Sequence, residues 1–200
     1  MGTAFSYSER EEIFASLRRA AWEHACSEGM KNTSVDQLSA EAGISKGAFY
    51  HFYRSKELLF LEVLSAWHQQ IFEQVEAFMT SHADYSPDKL ARESLKTALE
   101  LLLYRPAARF MITERDVLLR RVSPEARDRL YRSDDEIVKK LIEICGVRLN
   151  IPIETAVGIV RLLLVSAAHA GEIGSAYDDA ICALIESACT QFIGNSKPGV

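Results

Sequence analysis

The segment "AGISKGAFYHFYRSKE", Ala42 to Glu57, decides how this chain is read. It places four aromatics, Phe49, Tyr50, Phe52 and Tyr53, in five positions behind a glycine, with basic residues on both sides. The run "AFYHFY" has high β propensity, but a strand needs a partner and no second strand candidate lies nearby. Capping signals flank the run, so the sequence predicts a helix of about two turns opened by Ser45. Phe49 and Tyr53 are four residues apart and share a helix face. With Val35, Leu38 and Ile44 they supply a small core. Lys46, Gly47, Ala48, Tyr50 and His51 fall on the opposite side.

Working back, Ser34 and Gln37 have capping-box spacing and predict a short helix that ends near Ala42-Gly43. Ser39 and Ala40 are small where the two helices would cross. Gly43 adopts a left-handed conformation at low cost, so the chain turns sharply there. Residues 35–54 therefore fit a helix-turn-helix. On its outer face, small Gly47 and Ala48 let the helix backbone approach base edges in a major groove about 12 Å wide. Lys46 supplies charge, and Tyr50 and His51 hydrogen-bond phosphate. Lys56, opening the next helix, is a further phosphate partner. The helix starts at Ser34, Ser45 and Ser55 aim backbone N–H groups at the same strand. Such phosphate contacts fix position, and the few groove-facing residues specify sequence.

Working outward, helix punctuation continues along the chain. Ser8 with Glu11 reads as a capping box for a helix to about Glu28, stopped by Gly29. Ser55 caps a long helix whose apolar positions, Leu61, Leu64, Trp67, Ile71, Val75 and Phe78, keep helical periodicity. Ser86-Pro87 and Ser123-Pro124 each set a cap before a proline at the first helical position. Pro106 interrupts a helix after Tyr104, Gly146 ends the one begun at Pro124, and Pro152 opens another to about His169. The last runs from about Tyr177 to Ile193. The expectation is an all-α chain of about nine helices, with a three-helix domain at residues 1–54 and a larger one at 55–200.

The 200 residues suffice for a sizeable core, and with only 5 prolines and 10 glycines they suit helices. The net charge of −5 argues weakly against nucleic acid, but residues 1–56 hold seven Lys/Arg and seven Asp/Glu, so the whole deficit lies beyond them. Four cysteines, Cys26, Cys145, Cys182 and Cys189, show no metal-ligand spacing. No metal or cofactor is expected. The N-terminus has no apolar signal segment, and no uninterrupted apolar run reaches 18 residues. The expectation is a soluble cytoplasmic protein with reduced thiols and no membrane association.

"TSVDQLSAEAGISKGAFYHFYRSKELL" resembles the signature of the TetR family of bacterial transcriptional regulators. The resemblance covers residues 17–59, including Leu17, Ala20-Ala21, Gly29, Thr33-Ser34-Val35, Ala42 to Gly47, Tyr50 and Ser55 to Leu58. It implies that Ser34, Ser45, Tyr50 and Lys56 meet phosphates and that Lys46, Gly47, Ala48 and His51 lie at or near the bases. Some positions depart from the family pattern. His24 and Ala25 replace a large apolar pair, Ser39 stands where Ala is usual, and Phe52-Tyr53 inverts the commoner order.

The resemblance further implies a C-terminal domain for dimerisation and for a small-molecule effector. Two apolar helices suit a homodimer: Val157, Val160, Leu163, Leu164 and Ala167 in one, and Ile181, Leu184, Ile185, Ala188 and Phe192 in the other. Candidate pocket residues are Trp67, His68, Phe72, Tyr104, Phe110, Met111, Glu114, Arg115 and His169. Taken singly each reads as ordinary core or surface, and His169 reads as a hydrogen-bonded core histidine. The implied function is a ligand-responsive regulator, a repressor released from a palindromic double-stranded operator by a small molecule. An enzyme has little support, since no GxSxG, GxGxxG, P-loop or HExxH occurs. The remaining alternative is a helical protein-binding adaptor without DNA affinity.

Overall fold

The computed structural model describes residues 5–103 and 108–194, apart from the side chains of Arg109, Met111 and Ile112. The described residues form α1 (Tyr7–Cys26), α2 (Val35–Glu41), α3 (Lys46–Phe52), α4 (Lys56–Ser81), α5 (Pro87–Leu103), α6 (Ala108–Thr113), α7 (Arg115–Arg121), α8 (Pro124–Cys145), α9 (Ile153–Ser166), α10 (Ala170–Ile173) and α11 (Tyr177–Phe192). No strand forms among them. A lone antiparallel bridge joins Leu149 to Ile193. The fold is all-α as expected, and the helix count is close. The added segments arise where Glu114, at φ −130°, divides α6 from α7, and where α10 makes a single turn. Tyr104 and Pro106 lie outside the described residues.

Most of the punctuation acts as read. Ser34, Ser45, Ser55 and Ser123 each accept a backbone N–H through the side chain. Gly43 and Gly146 have φ of +69° and +63° and end their helices in the left-handed region. The first cap differs. Ser6, not Ser8, makes the capping box: its N–H donates to Glu9 Oε2 at 2.7 Å, and its Oγ accepts from Glu9 N at 3.3 Å. Ser6/Glu9 and Ser8/Glu11 have identical spacing, so spacing alone does not choose between them. The earlier start is anchored by Phe5, whose ring lies 5.7 Å from that of Phe52.

The helices gather into two compact units. The first holds α1–α3, α4 as far as Trp67, α6, α7 and the start of α8 to Arg127. The boundary read at residues 54 and 55 isolates the three-helix motif, whereas the packing adds part of α4, α6 and α7 to it. Leu17, Ala21, Leu38, Phe49, Phe60 and Leu118 form its fully buried centre. Phe60 stacks on Phe110 at 5.9 Å, which joins α4 to α6.

The second unit holds α4 from His68, α5, α8 from Asp128, and α9–α11. Its α5 packs against both α9 and α11. Arg92 and Lys96 on α5 reach Glu186 on α11 at 2.8 and 3.3 Å. Arg161 on α9 donates to the Tyr131 carbonyl at 3.0 Å and pairs with Asp135, both on α8. Val157, Leu163, Ala167, Ile181 and Ile185, assigned above to a dimer face, are buried within this unit instead. They occupy the inner stripes of their helices.

Residues 153–192 are apolar enough, by length and composition, to cross a membrane. Two 3-10 turns, at Ala167–His169 and Gly174–Ala176, divide the stretch into helices of 14, 4 and 16 residues. Each is shorter than the about 20 residues a span requires. Only 22% of the most apolar window is buried. Leu162, Val165, Ile173 and Leu184 are large exposed apolar side chains there.

Candidate nucleic-acid interface

The arrangement of α3 answers the question its aromatics raise. Phe49 is fully buried and Tyr53 is 7% exposed, so the shared face predicted from their spacing is the inner one. Tyr53 also donates its phenol to Glu62 on α4 at 2.8 Å. Burial and that bond together hold the phenol well above its ordinary pKa, so it stays a neutral donor. Phe52 is neither core nor outer face. Its ring meets Phe14 edge-on at 5.0 Å and lies under the Arg10 guanidinium at 5.2 Å. Three of the four rings thus fasten α3 to α1, α2 and α4, and only Tyr50 is half exposed.

The approach from α1 is equally determined. Thr33, buried, donates its hydroxyl to the Gly29 carbonyl at 2.8 Å. Ser39 sits at the crossing and donates to the Val35 carbonyl one turn back at 2.7 Å, so a hydroxyl is tolerated where an alanine would serve. His24, on the α1 end, reaches Glu28 with Nδ1 at 2.6 Å and Glu41 on α2 with Nε2 at 2.8 Å. A polar clamp therefore takes the place of the apolar pair expected there, while Ala25 is buried.

The outer face carries Ser34, Ser45, Lys46, Gly47, Tyr50 and His51, all exposed. Ala48 is half-buried rather than wholly outward. Lys46 pairs with Asp36 on α2 at 2.8 Å, and that carboxylate raises its pKa. Asp36 offsets part of the charge that Lys46 presents on this face. Gly47 has ordinary helical geometry, and a Cβ added there would meet nothing nearer than the Ser45 hydroxyl at 3.9 Å. Nothing among the described residues requires glycine at this position, although glycine weakens a helix.

Lys56 has a different occupation from the one expected. Its Nζ donates to the carbonyls of Met30 at 2.8 Å and Thr33 at 2.6 Å. An ammonium has three N–H groups, so one is left to turn outward. Arg54, exposed between α3 and α4, was not singled out by the sequence reading. Its position in the loop beside the basic run was the available signal.

The expected effector-pocket residues are distributed between the units. Trp67, Phe110, Glu114 and Arg115 belong to the first, and His68, Phe72 and His169 to the second. Tyr104 and the side chain of Met111 lie outside the described residues. His68 Nδ1 meets Asp134 at 3.0 Å, and Lys140 stands over the Phe72 ring at 4.7 Å. Arg115 contacts Asp116 at 3.2 Å. His169 is not a core histidine. Because α9 stops at Ser166, it sits on a 3-10 turn, half exposed, against Glu172 at 3.2 Å.

Comparisons with known proteins agree with this geometry. Residues 17–63 match the family model described as bacterial regulatory proteins, tetR family. The Transposon Tn10 TetC protein of Escherichia coli is 33% identical over 67 residues, which is 34% of this chain. The match covers 32% of that relative's length, or about a third of it. Whole-chain likeness comes from solved structures. FadR of Thermus thermophilus, a TetR-family transcriptional repressor in complex with lauroyl-CoA, is 18% identical with a TM-score of 0.64, covering 96% of this chain and 100% of that one. RolR in complex with its ligand resorcinol is 14% identical with a TM-score of 0.65, covering 91% and 90%. At such identities the likeness establishes the fold, and residues 17–63 carry the sequence signature within it. Residues 17–63 carry the signature of the TetR family of bacterial regulatory proteins, and the whole chain is similar in fold to solved structures of that family.

Proposed function

We propose that this chain is a cytoplasmic, ligand-responsive transcriptional regulator, not an enzyme, and that it represses from a palindromic DNA operator which a small molecule makes it release. The observation that supports DNA binding most is Gly47. It stands on the exposed face of α3, with room for a side chain and no conformational need to lack one. A glycine kept there fits a helix backbone that must come close to something outside the chain, and a base-pair edge is such a surface. Ser34, Ser45, Tyr50 and Lys56 then serve phosphates, with Lys46, Ala48 and His51 at or near the bases.

A homodimer follows from what one motif can read. A single helix-turn-helix covers too few base pairs, while two copies on a two-fold axis read two half-sites. Gly158, Leu162 and Val165 recur at one-turn spacing on α9, with Leu162 73% exposed. Leu184 on α11 is 57% exposed. Leu162, Val165 and Leu184, not Leu163 and Ile185, are the side chains that a second copy would cover. The effector acts by binding one separation of the two reading heads better than the other. Related folds hold ligands as different as resorcinol and lauroyl-CoA, so the effector of this chain is a small organic molecule of unassigned class.

The test is selection of duplex DNA from a random-sequence pool by the full chain, followed by titration of the selected duplex. The reading expects a palindromic consensus and a salt-sensitive complex. No enrichment of any sequence would favour the protein-binding adaptor.

A further inference from the structure

The connection between α1 and α2 is held from outside the helix-turn-helix as well as from within. Lys56 takes the carbonyls of Met30 and Thr33, and the N–H of Lys31 donates to Glu114 Oε2 at 3.0 Å. Glu114 is 6% exposed and stands at the break between α6 and α7. Gly29 faces the same carboxylate. It has φ of +84°, and a Cβ there would collide with the Glu114 side chain. Glycine is therefore required at position 29 for two separate reasons, its backbone conformation and the space that Glu114 occupies.

A buried carboxylate usually has a cation or several donors. Among the described residues, Glu114 has the Lys31 amide. A cavity of about 150 Å³ adjoins it, lined in part by Gly29, Asn32, Phe110 and Thr113. Among the described residues the carboxylate thus has one anchoring bond, and the Lys31 amide is its point of hold on the α1–α2 connection.

We infer that Glu114 is a positioning residue for the DNA-binding surface. Through Lys31 it fixes the turn from which α2 starts and on which Lys56 rests. The inference rests on the DNA-binding reading above.

The experiment compares wild type, Glu114→Gln and Glu114→Ala as full chains. It measures amide hydrogen exchange at Lys31, and affinity for the duplex that wild type selects from a random pool, at several salt concentrations. Glu114→Ala speeds exchange at Lys31 and weakens binding about tenfold, within the range of residues that modulate coupling without touching the ligand. Its salt slope stays that of wild type, because no phosphate contact is lost. Glu114→Gln keeps an acceptor oxygen and stays within about threefold of wild type in affinity. Wild-type affinity in Glu114→Ala, or unchanged exchange at Lys31, overturns the inference. Should Glu114→Ala fail to fold, Glu114→Ser, too short to reach the Lys31 amide but still polar, takes its place: faster exchange at Lys31 with weakened affinity sustains the inference, and faster exchange with undiminished affinity, or unchanged exchange, overturns it. A wild-type chain that selects no duplex defeats the DNA-binding reading itself and takes this inference with it.

Discussion

Tyr53 donates its phenol hydrogen to Oε2 of Glu62 at 2.8 Å, and the other oxygen of that carboxylate accepts from Arg18 at 2.9 Å. One side chain of α4 thereby holds the end of α3 and the middle of α1 in fixed relation. Tyr53→Phe keeps the ring in the core and removes one bond. It should destabilise the chain by about 1 kcal/mol, the usual net value of such a bond. Urea denaturation measures this, and base preference in the selected duplex should not change. An altered consensus would mean that Tyr53 acts at the DNA and not through packing.

Lys56 has two duties in this account. Lys56→Ala should lower the melting temperature, because two carbonyls lose a charged donor worth about 1.5–3 kcal/mol each at most. It should also weaken binding to all duplexes alike and reduce the salt slope by about one unit. Lower stability with an unchanged slope would confine Lys56 to its contacts with Met30 and Thr33.

The buried and exposed positions of α9 and α11 separate assembly from folding. Leu162→Glu and Leu184→Glu replace exposed side chains and should yield folded monomers in light scattering, with loss of palindrome binding. Leu163→Glu and Ile185→Glu place a charge in the interior of the second unit and should unfold it. If the two exposed-site variants remain dimeric, the covering copy sits elsewhere.

Alkaline stability reports on the core thiols. Burial pushes the Cys145 thiol from the ordinary 9.0 up to about 12 and raises that of Cys189 as well. The folded state therefore favours the neutral thiols. Their contribution is complete below the unfolded pKa and is lost as pH rises from about 9 towards 12. Melting temperature should fall across that window, and less steeply in Cys145→Ala. At pH 8, exposed Cys182 should react first with a thiol reagent. Cys182 and Leu184 are roughly 160° apart around α11, so dimer formation should not protect it.

The helix-turn-helix was legible because its signals are local. Ser34, Gly43 and Ser45 announce their roles by residue type alone, and the spacing of Phe49 and Tyr53 gives their shared face. Three features were not legible, for one physical reason. The Lys56 contacts with Met30 and Thr33, the Glu114 contact with Lys31, and the clamp of His24 on Glu41 join residues far apart in sequence. Capping and periodicity carry no information about such pairs. The choice between Ser6 and Ser8 failed differently, since both satisfy the same local rule and Phe5 packing on Phe52 settles it. On α9 and α11 apolarity was visible, but Leu162 and Leu163 have the same composition and opposite fates. The packing of α5 against α9 and α11, and of α8 against α9, separates the inner stripe from the outer one.

Approach of the outer face of α3 to DNA is decided by Gly47→Ala. The free chain has room for the added methyl, so the fold should be unchanged or more stable by up to about 1 kcal/mol. The measurement is fluorescence anisotropy of wild type and variant against the selected duplex and a scrambled one, alongside a thermal melt. Gly47→Ala should show an equal or higher melting temperature, at least tenfold weaker binding to the selected duplex, and little change on the scrambled one. Wild-type affinity for the selected duplex in a stable Gly47→Ala chain would contradict the approach of α3 to DNA.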